Sequence, residues 1–136
     1  MVPAAQGATD LAARIEQIAF LVNADPVLLQ RGRRLQIKLM IEVGDCAHCL
    51  AIERGRIVRV EPPPQDMRSW SFAIRGSEHA WRQFWQPLPA PHFHDLFALA
   101  KSGEFRIEGD LYPLMSNLFY FKGLLEAPRR LAGEAR

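Results

Sequence analysis

The sequence predicts a single α/β domain in which helices flank a central run of β-strands. Apolar residues recur at helical spacing near both ends of the chain. They alternate with polar residues in the middle, where Gly and Pro mark turns between short segments. The 136 residues, 49% of them hydrophobic and 24% charged, suffice for one hydrophobic core and are too few for two.

Two helices are predicted ahead of the strands. Asp10 can cap an amphipathic helix, because the apolar residues after it share one face: Leu11, Ile15, Ile18, Ala19 and Val22. Asp25 followed by Pro26 suits a short second helix that runs through Gln30 and that Gly32 closes. We expect a disordered segment at residues 1–8, the domain itself at residues 9–128 and a C-terminal tail at residues 129–136.

Four strands follow in the middle of the chain. The first alternates from Leu35 onwards, with apolar side chains on one face and mainly polar ones on the other. Turns at Gly44-Asp45 and Arg54-Gly55 connect it to two further strands, so the three form an antiparallel meander. Consecutive prolines at 62–64 end the third strand. The predicted strands cover residues 35–42, 46–53, 56–61 and 69–75.

Helices return in the second half of the chain. Ser77 can cap a helix that is interrupted by three prolines near position 89, and a second short helix is predicted from about Phe93 to Ser102, with Gly103 after its end. Residues 104–108 predict a fifth strand, and Asp110 is a good N-cap for one last helix. The predicted order is therefore α-α-β-β-β-β-α-α-β-α.

The composition argues against several classes of function. A net charge of +2 provides no basic surface for nucleic acid. No window reaches the roughly 18 to 20 apolar residues of a membrane-spanning helix, and a signal-peptide pattern is lacking. Two cysteines make no disulfide framework. We expect a cytoplasmic protein with at most peripheral membrane contact, for which the one dense basic cluster is Arg31, Arg33 and Arg34.

The pair Cys46 and Cys49 could indicate a redox or zinc site, but we interpret both residues as structural. They lie within a predicted strand, where residues i and i+3 point to opposite faces of the sheet. That geometry disfavours both a disulfide and joint metal ligation. A turn in place of the strand would reopen the question.

The histidines and carboxylates also have simple interpretations. His79, His92 and His94 lack a matched carboxylate motif, so we expect them at the surface. Asp110 is explained as an N-cap and Glu108 as a solvent-facing strand residue. We therefore predict no catalytic residue, no metal and no cofactor.

The last helix is the feature that suggests a ligand. Between Leu111 and Leu125 only Ser116, Asn117 and Lys122 are clearly polar, so the apolar arc is much wider than one contact with a sheet requires. The second side of such a helix can meet another helix, a partner subunit or an apolar ligand. Bulky side chains in the same half of the chain favour the ligand, because they pack with gaps unless something fills them: Trp81, Phe84, Trp85, Phe93 and Phe97.

A recognisable pattern leads into this helix. It is Gly-x-apolar-x-apolar-x-Gly-Asp from Gly103 to Asp110, and it follows the segments Trp81-Arg82-Gln83-Phe84-Trp85 and His94-Asp95-Leu96-Phe97-Ala98-Leu99. With the element order from Leu11 to Leu125, these segments resemble the sterol carrier protein type 2 domain family. The resemblance implies a twisted, mainly antiparallel five-stranded sheet covered on one face by about five helices. It also implies an apolar tunnel between sheet and helices that accepts fatty acids, acyl-CoA, sterols or related lipids.

We therefore expect a non-catalytic protein that binds an apolar ligand, for carriage or for presentation to a partner enzyme. The residues predicted to line the cavity are Trp81, Phe84, Trp85, Phe97, Met115, Leu118 and Phe119. The alternative is an accessory interaction protein, in which the same apolar helices bind a partner enzyme or form a homodimer.

Overall fold

The computed structural model describes residues 3–62 and 70–129, with side chains from residue 13 onward. Within these ranges the helices are α1 (Pro3–Asn23), α2 (Pro26–Arg31), α3 (Glu78–Phe84), a 3-10 turn (Pro91–Phe93), α4 (Leu96–Ser102), α5 (Tyr112–Ser116) and α6 (Leu118–Glu126). The strands are β1 (Gln36–Val43), β2 (Cys46–Glu53), β3 (Arg56–Glu61), β4 (Phe72–Gly76) and β5 (Phe105–Gly109).

The five strands form one sheet in the order β3-β2-β1-β4-β5. The meander of β1, β2 and β3 is antiparallel, and so is the pair β4 and β5. The two halves join where β4 lies parallel to β1, with Leu39 opposite Phe72 and Val43 opposite Gly76. The predicted single domain with a mainly antiparallel five-stranded sheet is confirmed.

The hydrophobic core lies between the helices and one face of this sheet. Leu39 and Ile41 of β1 point to this face and belong to the core cluster together with Ile15 and Ile18 of α1. Met40, between them, points to the opposite face. The opposite face carries ion pairs, including Lys38 with Glu61 at 3.3 Å. This division follows from the period-two pattern, because alternate side chains of a strand point to opposite faces.

Side-chain caps explain where three of the helices begin. The carboxylate of Asp25 accepts hydrogen bonds from the backbone N–H groups of Val27 and Leu28 at the start of α2. The Ser77 hydroxyl accepts one from Ala80 at the start of α3, as predicted. The Asp95 carboxylate accepts one from Ala98 at the start of α4. Each cap satisfies backbone donors that have no partner within the helix.

Two predicted helix starts are wrong. The first helix begins at Pro3, seven residues before the expected cap Asp10. The helix expected from Phe93 begins only at Leu96, because Asp95 has the extended backbone of an N-cap, with ψ 129°. The fourth strand begins at Phe72; its expected start at Ser69 lies outside the described residues.

The predicted last helix is divided into α5 and α6 at Asn117. This residue has φ −129° and ψ 41°, outside the helical range, and its side-chain amide donates a 3.0 Å hydrogen bond to the carbonyl oxygen of Pro113. An Asn side chain competes with the backbone for hydrogen bonds in this way, which disfavours a continuous helix. The prediction that Asp110 is the N-cap of the last helix is also wrong: the cap position of α5 is Leu111, although the Asp110 carboxylate accepts a hydrogen bond from the Tyr112 N–H.

No helix in the described parts of the chain combines the length and the apolar character needed to cross a membrane.

Candidate functional site

Four aromatic rings between α3 and β5 pack together into an aromatic core. The Trp81 ring centroid lies 4.4 Å from that of Phe105 and 4.9 Å from that of Trp85, and Phe84 lies 5.5 Å from Phe105. Trp81 and Phe84 are completely buried, and Trp85 is 3% exposed. Three of the predicted cavity-lining residues therefore pack against one another.

Both indole N–H groups of this aromatic core donate hydrogen bonds to backbone carbonyl oxygens. Trp81 donates to the carbonyl oxygen of Glu42 on β1 at 2.9 Å, and Trp85 donates to that of Leu125 on α6 at 2.8 Å. A buried indole N–H requires such a partner, because leaving it unpaired costs free energy. The two bonds fix the rings to the sheet on one side and to the last helix on the other.

Beside the aromatic core lies a groove of about 480 Å³, which we call the α4–β5 groove. Phe105, which is 1% exposed, joins the aromatic core to this groove. Arg106 is the one charged residue among those that line the groove, and its side chain is 75% exposed. The lining residues are Phe97, Ala100, Gly103, Phe105, Arg106, Ile107 and Leu111.

Of the other predicted site residues, one lines this groove, one is half-buried against the core and two are exposed. Phe97 lines the groove and, like Leu118, is half-buried against the core. The Nζ atom of Lys122 lies 5.6 Å from the Phe97 ring centroid, which links α6 to α4. Met115 and Phe119 are 56% and 71% exposed. The structure thus divides the predicted set into a buried cluster, a half-buried pair and an exposed pair.

The groove includes residues that were not among the predicted site residues. Ile107 could have been found from the alternation of β5, since it shares a face with Phe105. Leu111 is apolar by sequence, but its place in the lining of the groove depends on how β5 turns into α5. Ala100 is small, and a small residue gives little sequence signal for a binding site.

The two cysteines have the arrangement expected of strand residues. Cys46 lies opposite Val43 and Cys49 lies opposite Met40, so their side chains point to opposite faces of the sheet. Both are free thiols. Burial, and secondly the Glu61 carboxylate, raise the pKa of the Cys49 thiol, which lowers its reactivity. Among the described residues no group of three His, Cys, Asp or Glu side chains is arranged to hold a metal ion.

Of the histidines and carboxylates singled out by sequence, His79, His92 and Glu108 have side-chain partners. His92 Nε2 lies 3.0 Å from Glu104 Oε2, and the rings of His79 and His92 both contact Phe93 edge to face. Glu108 forms ion pairs with Arg75 at 3.0 Å and with Arg106 at 3.1 Å.

Arg75 lies at the centre of this charged network. It also binds Glu42 at 2.8 Å, and that hydrogen bond is the largest cause of the raised pKa of its guanidinium. Glu108 therefore belongs to an ion-pair network across β1, β4 and β5.

Comparison with solved structures identifies the architecture. A crystal structure of sterol carrier protein 2 matches with a TM-score of 0.68 and 12% sequence identity, covering 86% of this chain and 94% of that one. A conserved hypothetical protein from Thermus thermophilus matches with a TM-score of 0.62 and 13% identity, covering 88% of this chain and 87% of that one. A UbiJ-SCP2 ubiquinone synthesis protein matches with a TM-score of 0.56 and 18% identity, covering 89% of this chain and 93% of that one.

The likeness is confined to structure. No protein-family model and no curated protein sequence matches the chain. The solved structures nevertheless cover almost the whole described domain, and they do so with nearly their own full length. The chain thus has the fold of sterol carrier protein 2, as the sequence resemblance led us to expect.

Proposed function

We propose that this protein binds an apolar ligand such as a fatty acid, acyl-CoA, sterol or related lipid without catalysing its conversion, and carries it or presents it to an enzyme. The observation that carries this proposal is the α4–β5 groove, an apolar depression beside the aromatic core. Its volume of about 480 Å³ falls within the range of small-molecule sites. The shared fold adds support, since the matching structures include a sterol carrier protein and a ubiquinone synthesis protein.

The ligand position that we propose leaves the aromatic core intact. Trp81 and Phe84 are completely buried and their rings pack against each other and against Phe105, whereas Phe97 and Ile107 are only half-buried at the groove. A ligand chain that covers these two side chains removes their exposed apolar surface from water, and the aromatic core stays closed. Of the residues predicted from sequence, Phe97 is the one that lines the groove and that we propose to touch the ligand, with Trp81, Phe84 and Trp85 as its support.

The expected strength of binding suits a carrier. Transferring a chain of about 16 carbons from water gains about 0.8 kcal/mol per methylene, or roughly 12 kcal/mol in full burial. Association costs at least about 4 kcal/mol, which leaves at most about 8 kcal/mol and corresponds to micromolar affinity at best. A groove open on one side gives less than this maximum. Binding of this strength is readily reversible.

A titration with the fluorescent fatty acid dansylaminoundecanoic acid tests the proposal. The informative variant is Ala100→Trp, because Ala100 lines the groove and an indole there fills it. The matched control is Ala98→Trp, which places the same ring on the same helix outside the groove lining. We expect Ala100→Trp to weaken probe binding at least tenfold and Ala98→Trp to leave it nearly unchanged. Equal affinities of the wild type and of folded Ala100→Trp would overturn the groove assignment.

Native mass spectrometry of the purified full-length protein provides a second test. We expect a fraction of the molecules to carry a co-purified lipid, and we expect this fraction to fall in the Ala100→Trp variant. A lipid retained to the same extent by both proteins would contradict the proposed site.

A further inference from the structure

Four large apolar side chains on α5 and α6 face solvent, and we call them the α5–α6 patch. Their exposed fractions are 42% for Leu111, 76% for Tyr112, 56% for Met115 and 71% for Phe119. Leu111, the N-cap of α5, and Met115 lie one helical turn apart, since the Met115 N–H donates to the Leu111 carbonyl oxygen, and Phe119 follows in α6 after the break at Asn117. Their neighbours Leu114 and Tyr120 are at most 1% exposed and hold the segment against the core. An exposed apolar patch of this kind on a monomer marks an interaction surface.

A basic cluster borders the patch. It consists of Arg31 at the end of α2 with Arg33 and Arg34 in the turn that follows, and all three are exposed. The Arg31 guanidinium carbon lies 5.6 Å from the Phe119 ring centroid, which joins the basic cluster to the patch. None of the three arginines lies within 4.0 Å of a carboxylate in the described part of the chain, so their charge is not neutralised by an ion pair there.

The cation on the other flank of α6 is already paired. Lys122 forms a 3.3 Å ion pair with Asp95. The excess positive charge beside the patch therefore comes from the basic cluster on the Phe119 side.

We propose that the α5–α6 patch and the basic cluster together dock this protein on an anionic phospholipid bilayer. Aromatic, leucine and methionine side chains insert at the level of the lipid head groups, and arginines beside them bind the phosphates. Charge favours this occupant over a second copy of the chain. A symmetric contact through the patch would bring two unpaired arginine clusters next to each other, and like charges at an interface oppose association.

The docking surface meets the ligand groove at Leu111. This residue belongs to the patch and also lines the α4–β5 groove. Docking through the patch therefore places the Leu111 side of the groove against the bilayer, where an apolar ligand can pass between membrane and protein with little exposure to water. This last step rests on the proposed function, whereas the docking itself does not.

Flotation of the full-length protein with lipid vesicles tests the docking. One vesicle population contains phosphatidylcholine with about one third phosphatidylglycerol, and the other contains phosphatidylcholine alone. We expect clear binding to the first, weak binding to the second and a steep loss of binding as salt screens the charges. Equal binding to both populations, or no binding to either, would overturn the proposal.

Two pairs of variants separate the apolar and the charged contributions. The double variant Tyr112→Ser, Phe119→Ser should lose vesicle binding at least fivefold, while Leu88→Ser, which removes a 90% exposed leucine elsewhere, should not. Arg33→Gln should weaken binding about fivefold, since one arginine near an anionic surface contributes about that factor. The exposed Arg82 of α3 provides the matched control as Arg82→Gln. Unchanged binding of the patch variant contradicts the assignment.

The two proposals fail separately. Vesicle-free titration with dansylaminoundecanoic acid measures the groove alone, and flotation measures the surface alone. Normal probe binding without vesicle binding would overturn the docking proposal only, and vesicle binding without probe binding would support docking while overturning the carrier function. Light scattering that shows a concentration-dependent dimer, abolished by Tyr112→Ser, Phe119→Ser, would assign the patch to self-association and overturn the docking proposal.

Discussion

The Tyr120 hydroxyl donates a 2.6 Å hydrogen bond to the backbone carbonyl oxygen of Gly55, 65 residues earlier in the chain. Tyr120 lies on α6 and is 1% exposed, and Gly55 forms the turn between β2 and β3. Burial raises the pKa of the phenol, so the hydroxyl stays protonated and can donate this hydrogen bond at neutral pH. This bond connects the last helix to the far hairpin of the sheet.

Removing that hydroxyl should lower the stability of the whole domain. Tyr120→Phe leaves the buried Gly55 carbonyl without this donor, and we expect a loss of about 1–3 kcal/mol in the free energy of unfolding. Tyr112→Phe is the matched control, because its ring is 76% exposed and should cost less than about 0.5 kcal/mol. Urea unfolding followed by tryptophan fluorescence measures both. Equal midpoints for the two variants would contradict the role of the bond.

Gly32 should tolerate no side chain, because the same contact region leaves no room for one. A Cβ atom at this position would lie 2.5 Å from Tyr120 Cε1 and 2.9 Å from Gly55 Cα, which is backbone and cannot rotate away. We expect Gly32→Ala to cost about 1–3 kcal/mol through overpacking. Gly103→Asn serves as the control, since space around Gly103 is open and Asn tolerates its positive φ of 87° better than other side chains. In thermal unfolding, Gly32→Ala should have a clearly lower Tm than Gly103→Asn.

Asn23, the last residue of α1, should stabilise the edge strand β3 against local opening. Its side-chain amide donates to the carbonyl oxygen of Ile57 at 2.9 Å, and its side-chain oxygen accepts from the Ile57 N–H at 2.9 Å. Asn23→Asp keeps the acceptor but loses the donor and places a carboxylate beside a carbonyl oxygen. We expect a loss of about 1–3 kcal/mol and faster hydrogen exchange at the Ile57 amide. Exchange that accelerates equally at all core amides would indicate a global effect instead.

Asp95 should make stability depend on acid pH. Burial raises the pKa of its carboxyl group, but the hydrogen bond from the Ala98 N–H and the pairing with Lys122 outweigh this effect and lower the pKa overall. A carboxylate whose pKa is lower in the folded state contributes stability that is complete above its unfolded pKa. That contribution is lost as the pH falls through the folded pKa.

Two substitutions at Asp95 separate its charge from its cap. Asp95→Asn retains an oxygen that caps α4 and removes the charge, so the free energy of unfolding should fall less steeply between pH 5 and pH 2 than in the wild type, in line with the linkage argument. Asp95→Ala also removes the cap and should cost about 1 kcal/mol at neutral pH. Unfolding titrations at several pH values measure both effects. A wild-type slope in Asp95→Asn would show that another group controls acid stability.

Much of the fold could be predicted because local signals coincided with it. The turns at Gly44 and Gly55 have positive φ values of 59° and 83°, which glycine adopts at low cost, and strands β2 and β3 have the predicted bounds. The parallel pairing of β4 with β1 is not encoded in any local pattern. It depends on which strand edge is free once the meander has formed.

The candidate site was harder to predict, for two physical reasons. A wide apolar arc shows that a helix has more apolar surface than one contact needs, but it does not show which side is covered; Met115 and Phe119 lie on the exposed side, Leu114 and Phe121 on the covered side. Residues Trp81, Phe84 and Trp85 are large enough to line a cavity or to fill one. Whether they line a cavity or fill it depends on how closely β5 approaches α3. The periodicity of a single sequence carries no information about that distance.

The parallel contact between β1 and β4 also determines the order in which this chain can acquire structure. β2 begins three positions after β1 ends, whereas β4 begins 29 positions after it (72 − 43), so the meander can assemble from near neighbours and the second half must close a longer loop first. The α4–β5 groove lies wholly in that later half. We therefore expect a chain still emerging from the ribosome to lack this groove until nearly all of it has been synthesised.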